Sequence, residues 1–162
     1  MKKLLDNRTG QEGYPQTFFS YKISGHILIF EFRATESSLS SYSDVDNGEL
    51  YNGDVVELFL DLGNDYYYEF EVAPNGKKFV AKSYNSNPVF IENDFFESSV
   101  NIKGSDYYVT MKIDLSKLNK TENIYFNAFR IETKVIKPEY ILQALSPTLS
   151  NSFHVRDKFI KL

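Results

Sequence analysis

Asp54-Val55-Val56-Glu57-Leu58-Phe59-Leu60-Asp61 and Tyr66-Tyr67-Tyr68-Glu69-Phe70-Glu71-Val72 flank the turn sequence Leu62-Gly63-Asn64-Asp65. Both flanks alternate with a period of two, as strands do, and the turn joins them as an antiparallel hairpin. Register follows from the pattern, because a slip by one residue moves every side chain to the other face. Opposing Leu60 to Tyr68, Leu58 to Phe70 and Val56 to Val72 makes one face wholly apolar. The other face then gathers Glu57, Phe59, Asp61, Tyr67, Glu69 and Glu71. The alternative slip sets Glu57 beside Phe70 and Leu58 beside Glu69, leaves charge on both faces, and is disfavoured. Pro74-Asn75-Gly76 turns the chain into a third strand over 78–84. Phe79 and Ala81 are expected to continue the apolar face there, which sets Lys78, Val80, Lys82 and Tyr84 beside the carboxylates.

The same period runs outward in both directions. Strands are expected over 17–23 and 26–34, joined at Ser24-Gly25, where glycine supplies a positive φ. Further strands are expected over 89–92, 96–102, 107–114, 124–133 and 140–145, with one helical turn over 115–119. Residues 35–53 are polar and Ser-rich and read as a long surface loop. No helical period persists beyond a turn or two. Short strands at this spacing predict an all-β chain, a two-layer antiparallel β-sandwich of jelly-roll or immunoglobulin-like outline, with 1–162 as one domain. Leu58, Leu60, Phe70, Val72, Phe79, Met111 and Ile113 are the expected core between the sheets.

Composition narrows the function classes. The 162 residues carry 14 Phe and 12 Tyr, no Trp and no Cys. Disulfides, thiolate metal sites and a cysteine nucleophile are therefore excluded. Formal net charge is −4 and Lys and Arg are scattered singly, so no basic stripe offers itself to nucleic acid. The longest apolar run, Ile27-Leu28-Ile29-Phe30, is too short to cross a bilayer, and no membrane partner is expected. Met1-Lys2-Lys3-Leu4-Leu5 is followed by Asp6-Asn7-Arg8-Thr9-Gly10 where a leader would be apolar, so the chain as written is expected to be cytoplasmic, and extracellular if trimmed from a longer protein.

Several segments, in order, resemble the family 9 carbohydrate-binding modules. Leu50-Tyr51-Asn52-Gly53-Asp54-Val55-Val56-Glu57-Leu58-Phe59-Leu60-Asp61 is similar to the family's aromatic residue leading into a D-x-V-E-x-F-x-D strand. Tyr68-Glu69-Phe70-Glu71-Val72-Ala73-Pro74-Asn75-Gly76 resembles its Y-x-F-x-V-x-P-x-G hairpin. The segments 108–118 and Phe126-Asn127-Ala128-Phe129-Arg130 resemble two further strands. Leu145-Ser146-Pro147-Thr148 with Phe153-His154-Val155-Arg156-Asp157-Lys158-Phe159 resembles the closing motif. Asp114 stands where the family has proline, and Leu145 where it has tryptophan. The resemblance spans about residue 17 to 162. It implies a β-sandwich module of the kind appended to glycoside hydrolases, gripping a sugar chain end between two tryptophans in the best understood type, without catalysis and often with a structural calcium.

Candidate ligand-binding residues are Tyr51, Glu57, Lys78, Tyr84 and Arg130, with no catalytic and no metal residue assigned. Glu57 matches the family's acceptor of sugar hydroxyls. Tyr51 is a stacking platform or a loop cover. The Arg130 fork donates to ligand hydroxyls or pairs with a strand carboxylate such as Glu57. Lys78, Lys82 and Tyr84 are neighbours by register only, and a solvated sheet face is the better account of each. His154 reads as a hydrogen-bonded structural residue. Asp44, Asp46, Asn47 and Glu49 carry the oxygens calcium prefers, and the resemblance allows for a structural calcium, but their spacing does not fit an EF-hand and a plain polar loop is the better reading. A haem relative would have only His26, His154, Met1 and Met111 as axial ligands. The expected partner is a saccharide; the alternative is a sugar-independent interaction or structural domain.

Overall fold

A computed structural model describes residues 1–36, 38–119, 123–133 and 140–162. In chain order its strands are β1 (Lys2–Lys3), β2 (Leu5–Asp6), β3 (Thr17–Ser24), β4 (Ile27–Thr35), β5 (Val55–Asp61) and β6 (Tyr67–Val72). They continue as β7 (Lys78–Tyr84), β8 (Asn87–Phe90), β9 (Phe96–Lys103), β10 (Asp106–Asp114), β11 (Tyr125–Thr133), β12 (Tyr140–Ala144) and β13 (Ile160–Lys161). Among the described residues helix is confined to three short 3₁₀ turns, one of them Leu115–Lys117 at the expected turn. One sheet runs β1-β3-β4-β10-β9, the other β2-β12-β11-β5-β6-β7-β8 with β13 on β11, and every pairing is antiparallel. The fold is the expected two-layer β-sandwich.

The β5–β6 register is the one the alternation demands: Val56 opposes Val72, Leu58 opposes Phe70 and Leu60 opposes Tyr68. These side chains meet Leu28, Phe30, Phe32, Met111 and Ile113 of the other sheet in the main core. Each large side chain so enclosed contributes roughly 1.5–3 kcal/mol by leaving water.

Strand β7 sits one residue out of the expected phase. Phe79 opposes Glu71 and Ala81 opposes Glu69, so Lys78, Val80 and Lys82 lie on the inner side with Val72, Phe70 and Tyr68. Phe79 is buried, but on the outer face, with Leu50, Val55, Ala73 and Ala81. The reason is that the outer face is not a solvated one. Loop and C-terminal chain cover it, so an apolar side chain is at home on either side. The two lysines survive on the inner side by snorkelling at the edge of the sandwich. The Lys82 ammonium lies 4.5 Å from the Tyr66 ring centre, and that of Lys78 lies 5.8 Å from the Phe96 ring centre.

Candidate functional site

The outer face of the larger sheet is roofed at both strand ends. At one end Leu50 packs over Val55, Ala73 and Phe79. The loop carrying it is tied down by polar side chains: Asp46 and Asn47 accept the backbone N–H of Lys78 and Val80 at 3.1 and 2.9 Å, and Asp54 accepts those of Ser40 and Thr133. Asp46 and Asn47 thus each spend an oxygen on β7. At the other end Phe153 and Phe159 cover Phe59, Tyr67 and Phe129. That C-terminal segment is held by buried Asn7 and Asn127, which bond Thr148 and Ser146, and by Arg156, whose fork reaches both oxygens of Asp61 at 2.6 and 2.7 Å.

Between the roofs lies a groove of about 520 Å³. Its floor is Glu57 of β5, Glu69 and Glu71 of β6, Phe79 of β7, Ile131 of β11 and Leu142 of β12; its walls are Asn47, Gly48, Glu49 and Tyr51, Pro88 and Phe90, and Asn151 to His154. Glu57 and Glu71 are direct cross-strand partners, and Glu69 is two residues along the same face. One carboxylate oxygen from each lies within 4.8 Å of the others, although the three residues are only 3, 2 and 5 % exposed in that order. Ser83 donates to Glu69 at 2.5 Å, whereas Oε2 of Glu71 has no hydrogen-bond partner.

Burial, with the like charge of its neighbours, pushes the Glu57 carboxyl well above the usual carboxylate range. Burial and then the Glu69 charge do the same to Glu71. Glu69 is raised by burial to about 7. His154 stacks on Phe59, with ring centres 5.1 Å apart, and its Nδ1 lies 2.5 Å from the Tyr67 hydroxyl. Burial lowers its pKa and favours the neutral imidazole. The Tyr51 hydroxyl is held protonated by partial burial and by the charges of Glu49 and Glu71.

Of the residues expected at the site, Tyr51 and Glu57 share this groove. Lys78 and Tyr84 do not: both lie on the inner-side phase of β7, and the Tyr84 ring packs 5.3 Å from that of Tyr66. Arg130 is also elsewhere. It opposes Val56 on the inner side while Phe129 opposes Glu57 on the outer side, so the expected convergence of Glu57 and Arg130 does not occur. The guanidinium, 1 % exposed, sits 3.6 Å from Glu36 and 3.4 Å from the Thr17 hydroxyl, in the field of Asp54 and Glu132. It neutralises an acidic group inside the sandwich. Phase alone carried the information: Phe126 and Ala128 are core residues, and Arg130 follows them at the same period. Glu69, Glu71, Phe79 and the segment 151–154 complete the groove beyond the expected set. The first two were legible from the β5–β6 register, but the C-terminal wall carries no periodic signal.

No protein-family model matches the sequence, and no curated protein sequence matches it. Solved structures do match. A Bacteroides uniformis protein provisionally assigned to carbohydrate binding superposes with a TM-score of 0.81 at 18% identity, over 99% of this chain and 84% of that one. A family 9 carbohydrate-binding module of Caldicellulosiruptor kristjanssonii in complex with glucose gives 0.71 at 16% identity, over 98% and 81%. One from the same organism in complex with cellotriose gives 0.59 at 18% identity, over 79% and 63%.

Proposed function

Taking as premise that this chain has the fold of the family 9 carbohydrate-binding modules, we propose that its outer-face groove binds a saccharide and holds it without chemical change. The observation that carries the reading is the groove itself, where the half-exposed Tyr51 ring, Phe79 and Phe153 stand around the Glu57 carboxyl. Sugar recognition draws on this mixture: the C–H face of a pyranose lies on aromatic surface while its hydroxyls are held by convergent polar groups. Carboxyl oxygens at the floor accept hydrogen bonds from such hydroxyls. The same cluster is a poor hydrolase. Glycoside cleavage sets an acid and a base or nucleophile on either side of the scissile bond, roughly 5–9.5 Å apart, and these carboxylates crowd together at the floor, an oxygen of each within 4.8 Å of the others.

A glycan array followed by titration calorimetry tests this. Tyr51→Ala and Glu57→Gln are each expected to weaken the best array ligand about tenfold or more, a loss of roughly 1.4 kcal/mol. Tyr84→Ala, on the other side of the sheet, is expected to leave affinity within about twofold. Unchanged affinity in both groove variants would place the sugar elsewhere, and an array with no ligand would favour the sugar-independent interaction domain.

A further inference from the structure

The groove has a charge problem that a neutral ligand does not solve. Three glutamates converge at its floor, each more than nine-tenths buried, and no lysine or arginine lines it among the described residues. Their neighbours from the walls, Glu49, Tyr51 and His154, bring no fixed positive charge. Ser83 satisfies one oxygen of Glu69, but Oε2 of Glu71 is buried without a partner, which costs about 1–3 kcal/mol in a neutral group and more in a charged one. Buried carboxylates are ordinarily matched by an arginine, a lysine or a metal. The one deeply buried arginine of this sheet faces the other way.

We propose that Glu57, Glu69 and Glu71 hold one calcium ion at the floor of the groove. Three oxygens mutually within 4.8 Å leave a point no more than about 2.8 Å from all three, close to the roughly 2.3–2.6 Å of calcium–oxygen bonds. Magnesium, which demands about 2.1 Å and near-ideal octahedral geometry, fits less well. All ligand atoms are carboxylate oxygens with no thiolate or imidazole among them, a hard set that suits calcium over zinc. A dication also offsets more of the charge than an ammonium group does. Carboxylates supply three to six of the six to eight oxygens calcium takes, and the remaining positions open upward to water or to ligand hydroxyls. Asp46 and Asn47 take no part, since each already caps a β7 N–H.

The site stands independently of the saccharide reading: calcium binding in a protein that ignores every sugar supports the ion and sinks only the sugar. The full chain, stripped with chelator, is titrated with calcium chloride by calorimetry and in parallel with terbium, whose emission is sensitised by tyrosine in this tryptophan-free protein. One ion per chain and a raised melting temperature on calcium addition are expected. Glu71→Gln and Glu69→Gln should each weaken calcium by at least about tenfold while raising the melting temperature of the stripped protein, because each removes a buried like charge. That opposite movement separates a ligand from a merely structural residue. Glu97→Gln, on the exposed surface of the other sheet, and Asp46→Asn, in the loop, should leave calcium affinity unchanged. Absence of stoichiometric binding overturns the proposal, as does binding that persists in the folded Glu69→Gln/Glu71→Gln double variant or is lost in Asp46→Asn.

Discussion

Asn7 donates to the Thr148 hydroxyl at 2.8 Å and to the Ser150 carbonyl at 2.9 Å, and accepts from the Thr148 N–H at 2.9 Å, while fully buried. One short side chain near the N-terminus therefore fixes the segment that walls the groove. Asn7→Ala strands those partners in a dry site and should cost about 2–4 kcal/mol, read as a shift in the urea midpoint at unchanged slope. Asn7→Asp keeps the acceptor and should cost less in acid than at neutral pH. At this scale the sequence was uneven. Glu57 and Tyr51 could be placed because an acidic residue inside an apolar strand, and an aromatic leading into it, each demand an explanation. Arg130 was misplaced because both faces of β11 mix polar and apolar residues: Phe126 and Ala128 alternate with Arg130 and Glu132 on one side, and Asn127 with Phe129 on the other, so only the phase set by Phe126 and Ala128 marks its side. A charged residue within such a strand has no uniformly polar face to declare its side.

Strand β7 shows the same ambiguity extended over an element. Lys78, Val80 and Lys82 alternate with Phe79 and Ala81, so the pattern reads equally well in either phase. The sheet chose the one in which Phe79 and Ala81 fill the cluster under Leu50 and the lysine stems lie along the rim of the sandwich. The β5–β6 hairpin had no such freedom, since glutamates at three positions would otherwise have entered the core between the sheets. Two substitutions on β7 check the phase. Val80→Asp puts a carboxylate into the main core and should cost more than about 3 kcal/mol. Lys82→Ala loses only stem packing and the contact with Tyr66, and should cost about 1 kcal/mol or less. Equal losses in a thermal melt would contradict the phase described.

Across the whole molecule, the buried acids set the response to pH. Burial and a hydrogen bond to Glu36 raise the Glu132 carboxyl to about 8, and Glu69 stands at about 7, both above the usual carboxylate value. A carboxyl whose pKa is higher folded than unfolded binds its proton more tightly when folded. The stability it contributes is full below about pH 4.5 and is lost as pH rises through the folded value. In calcium-free buffer the domain should therefore lose stability from about pH 5 to pH 8, with the urea midpoint falling throughout. A midpoint rising over that range would contradict these protonation states. Layer architecture was readable at this scale because strand length and turn spacing repeat along the chain. The wrapping of residues 145–162 across the outer face was not, because it is set by individual hydrogen bonds and ring contacts. That division has a practical side. The groove's chemistry is written in paired strands at the centre of a sheet, whereas the shape of its mouth is written in Glu49, Tyr51, Asn151 and Ser152, which belong to no strand. A library randomised at those four positions would sample new selectivities on an unaltered scaffold.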